Sequence, residues 1–232
     1  MIKNFLITAL RTIIRDKGYS FINIFGFAVG IACTVLILLW VQDELAYDNS
    51  HVKKERIYRV LATVESGDGE LKVGVTPAAL SPALEAEYPE IEIATPFRRT
   101  GEFTFIIEDK KFRERLCGLA YQEFFDIFTI PFLEGNPQNC LEGPNSIVLT
   151  QKLAEKYFGK ESALGKEIEL LGLGLFKVTG VVEDITHSHF TFNYLISFDW
   201  AREIYNDNID EFGSWNYNTY ILCGIRNIVE NG

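Results

Sequence analysis

Two histidines in the last quarter of the chain have the spacing of a metal-binding pair. His187 and His189 are separated by one residue and lie close to Asp184. In an extended strand, residues i and i+2 share a face, so both imidazoles would reach one ion such as zinc. No cluster of cysteine or glutamate completes the ligand set, and a loop or packing role is the alternative. The sequence therefore assigns no metal site.

Motifs for nucleophilic catalysis and nucleotide binding are absent. The chain has no G-x-S-x-G nucleophile motif. The glycines of 172–177, Gly159-Lys160 and Gly165-Lys166 lack the G-x-x-x-x-G-K-[ST] spacing of a phosphate loop. We therefore predict no catalytic residue, no cofactor and no enzymatic activity. If ATP drives the function, another subunit must hydrolyse it.

The four cysteines form no recognisable redox or metal motif. Cys117, Cys140 and Cys223 show no C-x-x-C spacing, and three thiols cannot all pair within one chain. One disulfide among them and three packed thiols both remain open. Cys33 follows Gly30-Ile-Ala, which faintly resembles a lipoprotein cleavage site. The apolar run continues for eight residues beyond Cys33, so lipidation is disfavoured.

One segment has the length and composition of a membrane-spanning helix. No charged residue or histidine occurs from Gly18 to Gln42, and residues 21–41 are mostly apolar. At about 1.5 Å per residue, such a helix spans roughly 31 Å, which matches the hydrocarbon core of a bilayer. The run is too long for a typical signal peptide, and no A-x-A cleavage site follows it. We predict a transmembrane helix over 19–42.

The residues before this helix indicate its orientation. Residues 1–18 have a net charge of +3, while acidic residues follow the helix at Asp43, Glu44 and Asp48. Because positive flanks stay in the cytoplasm, residues 43–232 are expected outside it. Residues 2–14 carry apolar side chains on one helical face, which predicts a cytoplasmic amphipathic helix over 1–18, in contact with membrane lipid.

The remaining 214 residues carry a net charge of −13, which makes nucleic acid an unsuitable partner. Periodicity and turn residues in this part predict strands and short helices without a regular βαβ repeat, so the fold class is α+β. Strands are expected at 56–65, 72–75, 93–99, 103–108, 112–120, 146–149, 166–171, 176–182, 192–198 and 219–225. Helices are expected at 76–87, 124–128 and 150–158.

A series of short segments resembles the macrolide-exporter-type (MacB/FtsX-like) ABC transporter permeases. Each segment is weakly specific, but the set occurs in the family's order and covers the chain to about Leu222. The segments are 24–32, 42–48, His51, 56–60, 88–92, 124–128, 131–137, 146–150, 154–159, 163–166, 178–181 and 188–190.

The resemblance implies a bilobed mixed α/β extracytoplasmic domain over 43–232. Its porter lobe would comprise about 43–98 and 178–232, and its sabre-like lobe about 99–177. It also implies a cytoplasmic ABC ATPase as partner, pairing with a second permease chain as a homodimer or a related pair, and contact with an extracytoplasmic adaptor or lipoprotein. His187 and His189 would then belong to a structural motif.

The sequence differs from full permeases of this family in its number of predicted membrane helices. Full permeases of this family return to the membrane with three more helices, whereas residues 226–232 contain no apolar span. The expectation is a truncated product, a fragment or one piece of a split permease. Two alternatives remain: a membrane-anchored binding or scaffold module without transport activity, and an anchored metal-dependent enzyme at His187 and His189.

Overall fold

The computed structural model describes residues 7, 11, 14–46, 51–67, 69–107, 110–185, 188, 190–205 and 209–224. It divides into two compact units, Met1–Tyr47 and Asp48–Gly232. Of the predicted amphipathic helix at 1–18, only part lies within the described residues.

The first unit contains the helix α1, Lys17–Ala46. Its 30 residues extend for about 45 Å. Apolar side chains such as Ile24, Phe27 and Leu36 are exposed all along it. Within the described residues, α1 is the one helix long and apolar enough to cross a membrane. This length and composition agree with the transmembrane helix that the sequence predicts.

The second unit is built from fourteen strands and four short helices within the described residues. The helices are α2 Leu80–Glu87, α3 Phe124–Ile127, α4 Gln151–Phe158 and α5 Phe198–Tyr205. The strands are β1 Ile57–Arg59, β2 Ala62–Ser66, β3 Gly69–Val73, β4 Thr76–Pro77, β5 Ile91–Thr100, β6 Phe103–Ile107, β7 Lys110–Glu114, β8 Cys117–Ala120, β9 Phe132–Gly135, β10 Ser146–Thr150, β11 Glu167–Leu170, β12 Gly174–Val182, β13 Tyr194–Ser197 and β14 Trp215–Cys223.

Twelve of the strands form one mixed sheet. Its order is β1-β14-β5-β8-β13-β10-β12-β11-β6-β7, with β4 paired to β14 and β9 paired to β12. The pairs β10–β12 and β8–β13 are parallel, and the other pairs are antiparallel. The strands β2 and β3 form a separate hairpin. The predicted α+β class with one N-terminal membrane helix is confirmed.

The middle of the sheet is buried on both faces. Ile147 and Leu149 of β10 belong to one apolar core, whereas Val148 between them belongs to the other. Alternation places neighbouring side chains on opposite faces, so the two cores lie on either side of the sheet. This explains why β10 is a continuous apolar run instead of an alternating one.

Three predicted elements differ from the structure. The single strand expected at 56–65 is two strands, β1 and β2, which pair with different partners. Thr76-Pro77 does not start a helix: Thr76 Oγ1 donates to the carbonyl of Tyr217 at 3.1 Å, which fixes it as strand β4. The helix begins later than predicted, at Leu80, and its end at Glu87 is the predicted one. The single strand expected at 112–120 is two strands, β7 and β8. The chain bends between them at Leu116, whose φ of +60° is incompatible with a continuous strand.

Candidate functional site at the chain junction

The second unit holds the incoming chain by a buried histidine. His51 is the first described residue after α1, and it is 6% exposed. Its ring lies 5.2 Å from the ring of Phe128 and 5.8 Å from that of Phe190. These rings belong to an aromatic cluster that includes Phe97 and Phe124. The cluster therefore anchors the segment that follows the membrane helix.

Hydrogen bonds to the region of α3 reinforce this anchor. The Val52 amide donates to Thr129 Oγ1 at 3.1 Å. The Lys53 ammonium donates to the carbonyl of Asp126 at 2.7 Å. Both acceptors lie in or directly after α3, so the incoming chain and this helix are held together over two consecutive residues.

The last described residues of the domain lie next to its first described strand. Strand β1 pairs antiparallel with β14, and Ile57 lies opposite Leu222. The Arg56 Nε donates to the carbonyl of Cys223 at 2.6 Å, and its guanidinium also forms an ion pair with Glu92. The Gly224 amide donates to the carbonyl of Glu90 at 2.8 Å. We call residues 51–59 and 220–224, with their partners in α3 and β5, the junction.

The histidine pair of the sequence analysis lies outside the described residues. Of its proposed neighbours, Asp184 is described, and its Oδ1 accepts the amide of Lys152 at 3.2 Å. Within the described part of the chain, no three histidine, cysteine or acidic side chains are grouped closely enough to hold a metal ion. The structural-motif role expected for His187 and His189 therefore stays a prediction.

A buried carboxylate in β7 was not foreseen. Glu114 is 5% exposed, forms an ion pair with Lys156 and accepts a hydrogen bond from the Tyr157 hydroxyl. Burial, followed by the bond to Glu114, raises the pKa of Tyr157 well above its usual value. These contacts tie α4 to β7, which is a structural role. Lys156 and Tyr157 are more than forty positions from Glu114 in sequence. The spacing of residues along the chain therefore could not predict that these side chains are in contact.

All four cysteines are free thiols in the structure. Cys117 and Cys140 are buried, and burial raises the pKa of Cys117 well above 9.0. Burial likewise raises the pKa of Cys140 from 9.0 to about 12, although its hydrogen bond to Gln122 opposes the change.

The raised pKa of Cys140 predicts a loss of stability in alkaline solution. The folded protein keeps a proton that the unfolded chain releases above pH 9, so the free energy of unfolding falls as pH rises from 9 toward 12. We expect the urea midpoint to fall between pH 8 and pH 10.5, and to fall less in Cys140→Ala. Parallel urea titrations of the two proteins measure this. Equal falls would show that Cys140 does not contribute.

Comparison with known proteins adds family information to this geometry. The profile of the MacB-like periplasmic core domain matches residues 20–223. No curated protein matches the sequence. A domain described as part of a permease protein from Porphyromonas gingivalis is 25% identical, with a TM-score of 0.65, over 78% of this chain and 77% of that one.

Two further solved structures share the fold at lower identity. The periplasmic region of MacB from Actinobacillus actinomycetemcomitans is 16% identical, with a TM-score of 0.50, over 68% of this chain and 69% of that one. The extracellular domain of the noncanonic ABC-type transporter YknZ from Gram-positive bacteria is also 16% identical. Its TM-score is 0.51, over 72% of this chain and 83% of that one.

Proposed function

Because the chain belongs to the family of MacB-like periplasmic core domains, we propose that it couples ATP hydrolysis on a partner ATPase to movement of its own extracytoplasmic domain. Family membership makes the chain a component of a transporter permease. We propose that the chain itself is not catalytic.

The observation that carries the proposal is the junction. A domain that follows a moving membrane helix must hold the connecting chain firmly, or the helix would move without it. Here His51 is buried in an aromatic cluster, and the amide of Val52 and ammonium of Lys53 are bonded to the region of α3. Exposed loops of domains that are only tethered do not need such fastening.

The charge distribution supports a cytoplasmic N-terminus and an extracytoplasmic body. Basic residues precede α1, and Asp43 and Glu44 are near its end. In this arrangement residues 1–18 lie on the cytoplasmic membrane surface, where a partner ATPase is accessible. We further propose that the outer domain divides into a porter lobe of about 43–98 and 178–232 and a sabre-like lobe of about 99–177. Its proposed partners are a second permease chain and an extracytoplasmic adaptor or lipoprotein.

Photo-crosslinking in native membranes tests the coupling. We expect p-benzoylphenylalanine at Ile7 or Arg11 to crosslink an ATPase subunit, because both residues are exposed in the predicted cytoplasmic segment. The crosslinked partner is identified by mass spectrometry of the purified adduct.

The same photoreactive residue at Tyr88, which is 50% exposed in the outer domain, is the matched control and is expected to give no ATPase adduct. Absence of an ATPase from both N-terminal positions would contradict the coupling. It would favour the anchored binding or scaffold module instead. An ATPase adduct at Tyr88 alone would contradict the proposed topology.

A further inference from the structure

The outer domain contains a cavity of about 620 Å³ that the proposed function does not use. It lies between the start of α2, the middle of β5 and the region around α5, and the residues proposed below to contact a ligand line it. This volume falls within the usual range for small-molecule sites. Its inner wall is made of small buried residues, among them Ala78, Ala79 and Ala94. A narrow aliphatic group fits such a wall without displacing a large side chain.

Two hydroxyl groups are buried in the wall of this cavity. Ser81 in α2 and Thr95 in β5 are 2% and 1% exposed. Neither Ser81 Oγ nor Thr95 Oγ1 has a hydrogen-bond partner among the described residues. Because leaving a buried hydroxyl unsatisfied costs about 1–3 kcal/mol, such groups usually have a partner. Two of them lining one cavity indicate a polar ligand.

The mouth of the cavity is negatively charged. Glu85, Glu123 and Asp210 line it, against one described cation, Arg202. The Arg202 guanidinium is already paired with Asp210 at 2.6 Å, and Glu85 Oε1 accepts the amide of Ala94 at 2.6 Å. The carboxylate of Glu123 is exposed at this mouth. The charge that remains to be balanced by a ligand is therefore negative.

The hydroxyl of Tyr121 is a further polar group in the lining of the cavity. Burial raises the pKa of its hydroxyl to about 12. The nearby Arg202 opposes this rise, whereas Asp199, Asp210 and Glu123 add to it. Tyr121 thus keeps its proton and its capacity to donate a hydrogen bond, because burial disfavours the charged phenolate.

We propose that this cavity binds an ammonium group carried on an aliphatic stem. The stem would pack against the alanines, with Glu123 supplying opposite charge. Ser81 Oγ and Thr95 Oγ1 are almost inaccessible to solvent, so these two side chains would rotate toward the cavity to accept hydrogen bonds from the ammonium. An ammonium offers three donors and accepts none, which suits two hydroxyls without a partner beside carboxylates. A lysine side chain of a peptide and a free alkylamine share this chemistry.

Isothermal titration calorimetry of the full chain in detergent micelles tests the proposal. The probes are n-butylammonium and the N-acetylated amides of Gly-Lys-Gly and Gly-norleucine-Gly, of which only the lysine peptide carries an ammonium group. We expect saturable binding of an ammonium probe, with the norleucine peptide bound at least tenfold more weakly. Butylammonium bound as tightly as the lysine peptide would identify a free amine as the source, and a tenfold preference for the peptide would identify a peptide.

Variants locate the binding in this cavity. Ser81→Ala and Thr95→Val remove hydroxyls that have no partner, so both proteins should fold normally. Each is expected to lower the affinity for the ammonium probe at least threefold, and the same is expected of Glu123→Gln. The control Glu167→Gln changes an exposed carboxylate on β11 and should leave the affinity unchanged.

Unchanged affinity in all three cavity variants would overturn the proposal. Equal binding of the lysine and norleucine peptides, or no saturable binding of any probe, would also overturn it. These titrations contain no ATPase, so their failure is separate from a failure of the proposed coupling.

Discussion

Replacing Phe190 with alanine is expected to lower the free energy of unfolding of the outer domain by about 3–5 kcal/mol. Phe190 is 3% exposed. Its ring lies 4.7 Å from that of Phe128, 5.3 Å from that of Phe124 and 5.8 Å from that of His51. Removing it leaves a cavity at the centre of the aromatic cluster, which surrounding rings fill only in part. Chemical denaturation of the full chain in detergent measures the loss.

Phe212→Ala is the matched control, because that side chain is 57% exposed. We expect it to change the free energy of unfolding by less than about 0.5 kcal/mol. The junction gives a second measurement: in Phe190→Ala, the amide of Val52 should exchange its hydrogen faster, since the packing that holds His51 is weakened. A loss below about 1 kcal/mol with unchanged exchange at Val52 would show that the cluster does not anchor the incoming chain.

Replacing Gly135 with alanine is expected to cost about 3 kcal/mol, because two unfavourable effects add. Gly135 ends β9 with a φ of +88°, where an L side chain is strained. A Cβ there would also lie 2.5 Å from the carbonyl oxygen of Thr179 and 2.9 Å from Cα of Gly180. Both are backbone atoms of β12, which cannot move without disturbing the pairing of β9 with β12.

Gly143 separates the two effects. Its φ is +87°, nearly the same as that of Gly135, but an added Cβ would meet nothing within 4 Å. Gly143→Ala should therefore cost only the strain of the backbone, about 1–2 kcal/mol. Denaturation of both variants gives the difference, which we assign to the clash with β12. Equal costs would mean that β9 adjusts freely, contrary to a tight packing of this strand.

The sequence predicted those elements whose signals are local. The mostly apolar run at 21–41 predicted α1. Helix α4 was predicted to lie between Thr150 and Gly159, and it spans Gln151–Phe158. In each of these cases, the residues that determine the element lie within it or directly beside it.

Other features depend on residues that are distant in sequence. Thr76 has the sequence of a helix cap, but its hydroxyl bonds to Tyr217, which is 141 positions away. The residues that bury Glu114 and the two hydroxyls of the cavity have no shared motif. Helix α5 and strand β9 were not predicted at all, since the aromatic run at 192–198 read as one strand and β9 spans only four residues. Tertiary contacts decide such cases, and a single sequence does not contain them.

The position of β1 beside β14 has a mechanical consequence. Ile57 at the start of β1 is opposite Leu222 near the end of β14, so both strands meet their flanking segments at the same end. If opposed forces pulled these two segments apart, the hydrogen bonds between β1 and β14 would break one after another, beginning at that end. A pull on both segments in the same direction would leave the pairing without load and displace the whole sheet as a rigid body. The domain is therefore suited to resist concerted traction and to yield under opposed traction.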